Sequence, residues 1–84
     1  PIQRIAWCTG AAQDFLLQAA DEGAQVFCSG EYAERTWHEA RETGCAYIVC
    51  GHHATERAGI RALGKHLQEQ FALSVHFFDE NNPF

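Results

Sequence analysis

The sequence predicts an α/β fold with a mainly parallel sheet in the order β-α-β-α-β-α-β. Three observations predict it. Short apolar runs alternate with stretches whose apolar residues recur at helical spacing. The connections are short and carry Gly, with no linker or low-complexity segment between them. Three apolar runs end in a small residue followed by Gly: Thr9-Gly10, Ser29-Gly30 and Cys50-Gly51. Strands joined through helices run parallel, so these ends share the carboxyl edge, where open α/β sheets bind ligands.

Each element has its own signal. Ile2 to Cys8 reads as a strand. Ala12, Phe15, Leu16, Ala19 and Ala20 form a helical stripe closed by Gly23. Gln25 to Ser29 is a second strand. Ala33, Trp37 and Ala40 mark the apolar side of a second helix, closed by Gly44. Cys45 to Cys50 is the most continuously apolar run, which predicts the central strand. Ile60, Leu63, Leu67 and Phe71 predict the buried side of a longer third helix. Gly59 and Gly64 within it imply close backbone packing against the sheet or another subunit. Leu73, Val75 and Phe77 alternate as a last strand before the polar tail Asn81-Asn82-Pro83.

Composition narrows the function classes. With 84 residues, residues 1–84 form a single α/β segment with one modest core. Six Lys plus Arg stand against eleven Asp plus Glu, a net charge of −5. Nucleic-acid backbones and anionic membranes both call for a basic patch, so neither is the expected partner. A small anionic substrate stays open, since it needs only one or two local donors. No apolar run approaches the roughly 20 residues of a membrane span, and no signal peptide is visible. Cys8, Cys28, Cys45 and Cys50 lie in strand-like runs without a C-x-x-C pair. They read as buried, reduced thiols of a cytoplasmic protein. The chain has no Met and begins at Pro1. Either an initiator Met was removed or this is a piece of a longer protein. Pro1 followed by Ile2 also resembles the tautomerases that use a proline amine as base.

The chemistry concentrates in Gly51-His52-His53-Ala54-Thr55-Glu56-Arg57, at a strand-to-helix junction. His52 and Glu56 are one helical turn apart on one face. An imidazole nitrogen plus a carboxylate oxygen suits Zn, Mn, Fe or a related divalent ion. The alternative is a plain polar helix entrance, with Glu56 near the positive end of the helix dipole. His53 lies about 100° round the helix and points elsewhere. Glu31, after the second strand, belongs on the same edge as His52, and His38 lies within the second helix. Either is a candidate acid/base group or an orienting partner. Thr9-Gly10-Ala11-Ala12 reads as a helix start capped by Thr9 rather than a phosphate cradle. Arg57 reads as an anion partner or a surface salt bridge. His66 and His76 fall on exposed, structural positions.

Ala6-Trp7-Cys8-Thr9-Gly10, Ser29-Gly30-Glu31 and Gly51 to Arg57, in that order, resemble the C-terminal part of the Nif-three-like family. So does the ending Phe78-Asp79-Glu80-Asn81-Asn82-Pro83. These are dinuclear-metal, hexameric proteins also known as GTP cyclohydrolase 1 type 2 homologs. The resemblance implies one half of a two-lobed α/β fold, the C-terminal part of a longer chain. It implies a homohexamer built as a trimer of dimers. It also implies two divalent metal ions in a cleft between the halves, with His52 and Glu56 as ligands. The N-terminal half of such proteins supplies an adjacent His pair and an Asp; that half is absent from this sequence, which has no second His-His pair. Glu31 and His38 match positions near the cleft. The expected function is metal-assisted hydrolysis of a nucleotide or another phosphorylated small molecule, with Glu31 or His38 carrying protons. The alternative is a non-catalytic metal-binding or interaction module of a ring-shaped oligomer. No guanine-reading motif is present.

Overall fold

Three short strands carry the fold: β1, Ile5–Cys8; β2, Val26–Ser29; and β3, Ala46–Val49. The structure is a computed structural model and describes residues 1–84. The strands pair in parallel in the order β1-β2-β3. A 3-10 turn, Gln13–Phe15, leads into α1, Leu16–Asp21. Helix α2, Glu34–Thr43, joins β2 to β3, and α3, His52–Phe71, follows β3. α1 and α2 stop at Gly23 and Gly44, where the sequence places their ends.

The α/β class with a parallel sheet is thus the observed one, but the central strand is β2 rather than β3. Strand order follows chain order, so the middle run is hydrogen-bonded on both sides. Phe27 on β2 is 3% exposed, whereas Ile48 on β3 is 48% exposed. The pleat explains the difference. Ala6, Phe27 and Tyr47 are register partners on one face and pack with Ala12, Leu16, Ala24 and Cys45. Ile5, Trp7 and Ile48 point to the other face, and all three are exposed. Continuous apolarity in β3 therefore reflects two apolar faces, and on the second only Val26 of the central strand is buried.

The predicted helix faces need adjustment. On α2 the buried residue is Thr36, and Trp37 is exposed. Thr36 Oγ1 accepts the Ala33 N–H at 2.9 Å, which satisfies an otherwise orphaned helix-start donor and turns Trp37 outward. The α3 residues Ile60, Leu63 and Phe71 are 56%, 51% and 65% exposed, and no residue of α3 is buried. Helix α3 projects from the sheet instead of packing on it. The radius of gyration is 15.9 Å. A compact domain of this length would have about 12 Å.

The fourth strand does not form. Residues 73–77 lie in no ladder, because α3 carries them away from any sheet edge. Ala72 turns the chain with a φ of 53°, and the segment runs back along α3. Val75 sits against Gly64, where an added Cβ would come within 2.9 Å of its Cγ1. Gly64 thus packs against the returning segment of its own chain and not against the sheet, while Gly59 faces open space. The Arg61 guanidinium lies 5.4 Å from the Phe77 ring centre. His66 and His76 are exposed, as expected.

All four cysteines are free. Cys45 is buried and Cys28 half-buried, but Cys8, which ends one edge strand, and Cys50, which follows the other, are exposed. Burial pushes the Cys28 and Cys45 thiols up, which keeps them protonated. No helix is long and apolar enough to cross a membrane.

Candidate functional site

The three strand ends meet as predicted. The Gly30 N–H donates to the Gly10 carbonyl at 3.0 Å, and the Gly51 N–H donates to the Gly30 carbonyl at 3.1 Å. This ladder extends the sheet past its assigned ends and brings the loops after β1 and β2 against the start of α3. Glycine is required here by space. A Cβ on Gly30 would lie 2.5 Å from the Gly10 carbonyl oxygen and 2.7 Å from the Cα of His52. Gly10 has a φ of 70°, and a Cβ there would lie 2.5 Å from Glu56 Oε1 and 3.3 Å from His52 Nε2.

Thr55 locks the junction. Its Oγ1 accepts the Gly10 N–H at 3.0 Å and donates to the His52 carbonyl at 3.0 Å. Ser29, buried in the floor, accepts the Ala12 N–H at 3.2 Å and donates to the Gly10 carbonyl at 3.3 Å. The helix start after β1 is therefore satisfied by Ser29 and not by Thr9, which makes no capping bond. The Gly10 and Ala12 donors of that turn are thus used internally.

His52 stands between two carboxylates. Nε2 is 3.3 Å from Glu56 Oε2, and Nδ1 is 3.5 Å from Glu31 Oε2. All three side chains are roughly half exposed, so these pairs define geometry more than stability. Glu31 is held by its backbone, whose carbonyl accepts the Tyr47 hydroxyl at 2.5 Å. Burial pushes the Tyr47 phenol above its ordinary value, so it remains a donor. Tyr47 is itself braced on Phe27, with ring centres 5.6 Å apart.

The neighbouring polar residues have separate tasks. His53 turns away, as the helical period predicts, and its Nε2 lies 3.1 Å from Asp79 Oδ1. Arg57 donates to Asp79 Oδ2 at 3.0 Å, the salt-bridge option for that residue. The His53 hydrogen bond, followed by those of Arg57 and the Glu80 amide, holds the Asp79 carboxyl below its ordinary value. The clasp ties the returning tail to α3. His38 lies apart on α2, 3.5 Å from Glu34 and edge-on to Trp37 at 4.9 Å. The structure thus brings Glu31, His52 and Glu56 together and does not bring His38 to them.

The donor set can be tested against a metal ion. His52 Nε2 and the Glu56 carboxylate face the same space above Gly10, the right atom types for zinc, manganese or iron. No three His, Cys, Asp or Glu side chains are placed to share one ion. Two convergent ligands fit part of a coordination sphere, which for catalytic zinc has three protein ligands. Thr55, Ser29 and Tyr47 escape sequence reasoning. Ser29 alone had a signal, as the small residue before Gly30, while the other two look like ordinary helix and strand residues.

Comparison with known proteins converges on one family. The model of the family Duf34/NIF3 (NGG1p interacting factor 3) matches residues 1–83. The chain is 54% identical over 82 residues to a GTP cyclohydrolase 1 type 2 homolog of Allochromatium vinosum, covering 98% of this chain and 32% of that protein. It is 51% identical over 82 residues to the protein of the same name from Escherichia coli (strain K12), covering 98% and 33%. Among solved structures it is similar to "protein ybgI, unknown function", with a TM-score of 0.93 and 51% identity over 99% of this chain and 34% of that one. It is also similar to reduced HcgD from Methanocaldococcus jannaschii, with a TM-score of 0.71 and 25% identity over 83% and 29%. The chain spans about a third of the length of the curated relatives it matches.

Proposed function

The chain belongs to the Duf34/NIF3 family, and from that membership and its His52–Glu56 geometry we propose that it is part of a dinuclear-metal hydrolase. The observation that carries this reading is the convergence of His52 Nε2 and the Glu56 carboxylate, 3.3 Å apart, on the space above Gly10. A divalent ion there would acidify a water and polarise a phosphoryl or ring-carbon target. The chain's own residues do the positioning. Thr55 and the Gly10–Gly30–Gly51 ladder set the entry angle of α3, and that angle aims His52 and Glu56 at one place. Glu31 is the nearest further carboxylate, on the opposite side of the imidazole. His38, whose partners are on its own helix, has no comparable placement.

The substrate class in this reading is a nucleotide or another phosphorylated small molecule, following the relatives' name of cyclohydrolase homolog. The assembly is a cytoplasmic homohexamer, a trimer of dimers, with two metal ions per complete site. The remaining ligands come from outside these 84 residues. Nothing in the site favours the Pro1 amine as a base.

One observation favours a second reading, a non-catalytic metal-binding or interaction module. With Ile60, Leu63 and Phe71 exposed, α3 is built to be covered. Metal analysis and hydrolysis assays on the full-length protein, wild type against His52→Ala, separate the two. The hydrolase reading expects bound divalent metal and turnover in the wild type, with both falling sharply in the variant. Metal without turnover favours the module, and a metal-free wild type sinks both.

A further inference from the structure

We infer that Glu31 is a positioning residue: its carboxylate takes the Nδ1–H of His52 and so leaves Nε2 as the free, ligating nitrogen. The inference rests on the metal reading of His52 and Glu56. A neutral imidazole carries one N–H, so one ring nitrogen donates and the other accepts. The two carboxylates address different nitrogens, Glu31 at Nδ1 and Glu56 at Nε2. Only Nε2 shares the space above Gly10 with Glu56 Oε1. Nδ1 faces the opposite way, toward Glu31. That division matches the general rule that a metal-bound imidazole gives its other N–H to a carboxylate or carbonyl, which fixes tautomer and ring orientation.

The backbone around Glu31 is built to hold it there. Gly30 is wedged between the Gly10 carbonyl and His52 Cα, and the Tyr47 hydroxyl pins the Glu31 carbonyl at 2.5 Å. These contacts fix the backbone that carries Glu31 on the Nδ1 side of the ring. A proton carrier would have to reach the Glu56 side, where water and substrate would stand. The 3.5 Å separation from Nδ1 is long, as such contacts commonly are before a site is loaded.

The test uses the protein at its natural length and metal-free. Nitrogen–proton correlation spectra report the His52 tautomer. The wild type is expected to show Nδ1–H, Glu31→Ala to move toward Nε2–H, and Glu31→Gln to keep Nδ1–H through its amide oxygen. Titration with zinc alone should weaken roughly 10- to 100-fold in Glu31→Ala and less in Glu31→Gln. A wild-type His52 protonated at Nε2 overturns the inference. So does a folded Glu31→Ala with unchanged tautomer and zinc affinity. If Glu31→Ala fails to fold, Glu31→Gln decides, and loss of the Nδ1–H tautomer there overturns it equally. If zinc leaves the wild-type His52 signals unmoved while Glu31→Ala switches the tautomer, the metal reading fails and the orienting role of Glu31 stands.

Discussion

Gly10 shows how much a single residue can hold. Its φ of 70° and its place 2.5 Å, by a built Cβ, from Glu56 Oε1 mean that Gly10→Ala acts twice. The left-handed backbone costs about 1–2 kcal/mol for a residue with a Cβ. The methyl group also pushes the Glu56 carboxylate out of the space it shares with His52. Gly44 provides the control, because its φ is 73° and nothing lies within 4 Å of its Cβ position. Both variants should lower the melting temperature by similar amounts, and only Gly10→Ala should also abolish zinc binding. Thermal unfolding with zinc titration checks this; equal loss of zinc binding in both would place Gly10 outside the site.

At the scale of elements, the site is a joint between strand ends and the start of α3. Ser29 is 1% exposed and serves two backbone groups, the Ala12 N–H and the Gly10 carbonyl. Ser29→Ala leaves a buried donor unpaired and should cost about 1–3 kcal/mol in urea denaturation. Leu16, fully buried where α1 meets the sheet, anchors the same joint from beneath. Truncating it to Ala should cost about 2–5 kcal/mol. That loss would raise the unfolded fraction without altering zinc affinity per folded molecule. A denaturation midpoint unmoved by Leu16→Ala would mean the core lies elsewhere.

The whole molecule is elongated, 49 × 27 × 21 Å, because α3 stands away from the sheet with only the tail along it. The His53–Asp79–Arg57 clasp holds that tail, and the Ala54 N–H adds a long bond to the Phe84 carbonyl at 3.4 Å. The Asp79 carboxyl is depressed when the tail is docked. Its contribution is therefore fully present above the ordinary carboxylate value and is lost as pH falls through its lowered docked value. Amide protection factors in residues 79–84, taken relative to the intrinsic exchange rate at each pH, should fall on acidification, and Asp79→Asn should lower them already at neutral pH. Slow exchange in that variant would show that the clasp is not what holds the tail. The open α3 face should also bind an apolar dye, and Ile60→Glu with Leu63→Glu should remove that binding without unfolding the sheet.

Local periodicity alone determined a good deal. It set the order of strands and helices, the stops at Gly23 and Gly44, the shared edge of Gly10, Gly30 and Gly51, and the one-turn spacing of His52 and Glu56. These depend on neighbours within a turn or two, which a linear pattern records. Family membership was legible in the same motifs, which hold their order along nearly the whole chain. Tertiary structure decided the rest. The apolar run of β3 could not reveal that β2 is central, because sheet position depends on which strands pair. The stripe on α3 and the alternation at Leu73, Val75 and Phe77 ask for burial without saying by what, and in this chain the sheet does not supply it. Glu31 meets His52 because two loops converge, and Tyr47 and Ser29 support that meeting from other strands. Such contacts join residues far apart in the chain, so the sequence names His52, Glu56 and Glu31 as candidates, and folding decides which nitrogen of His52 each carboxylate faces.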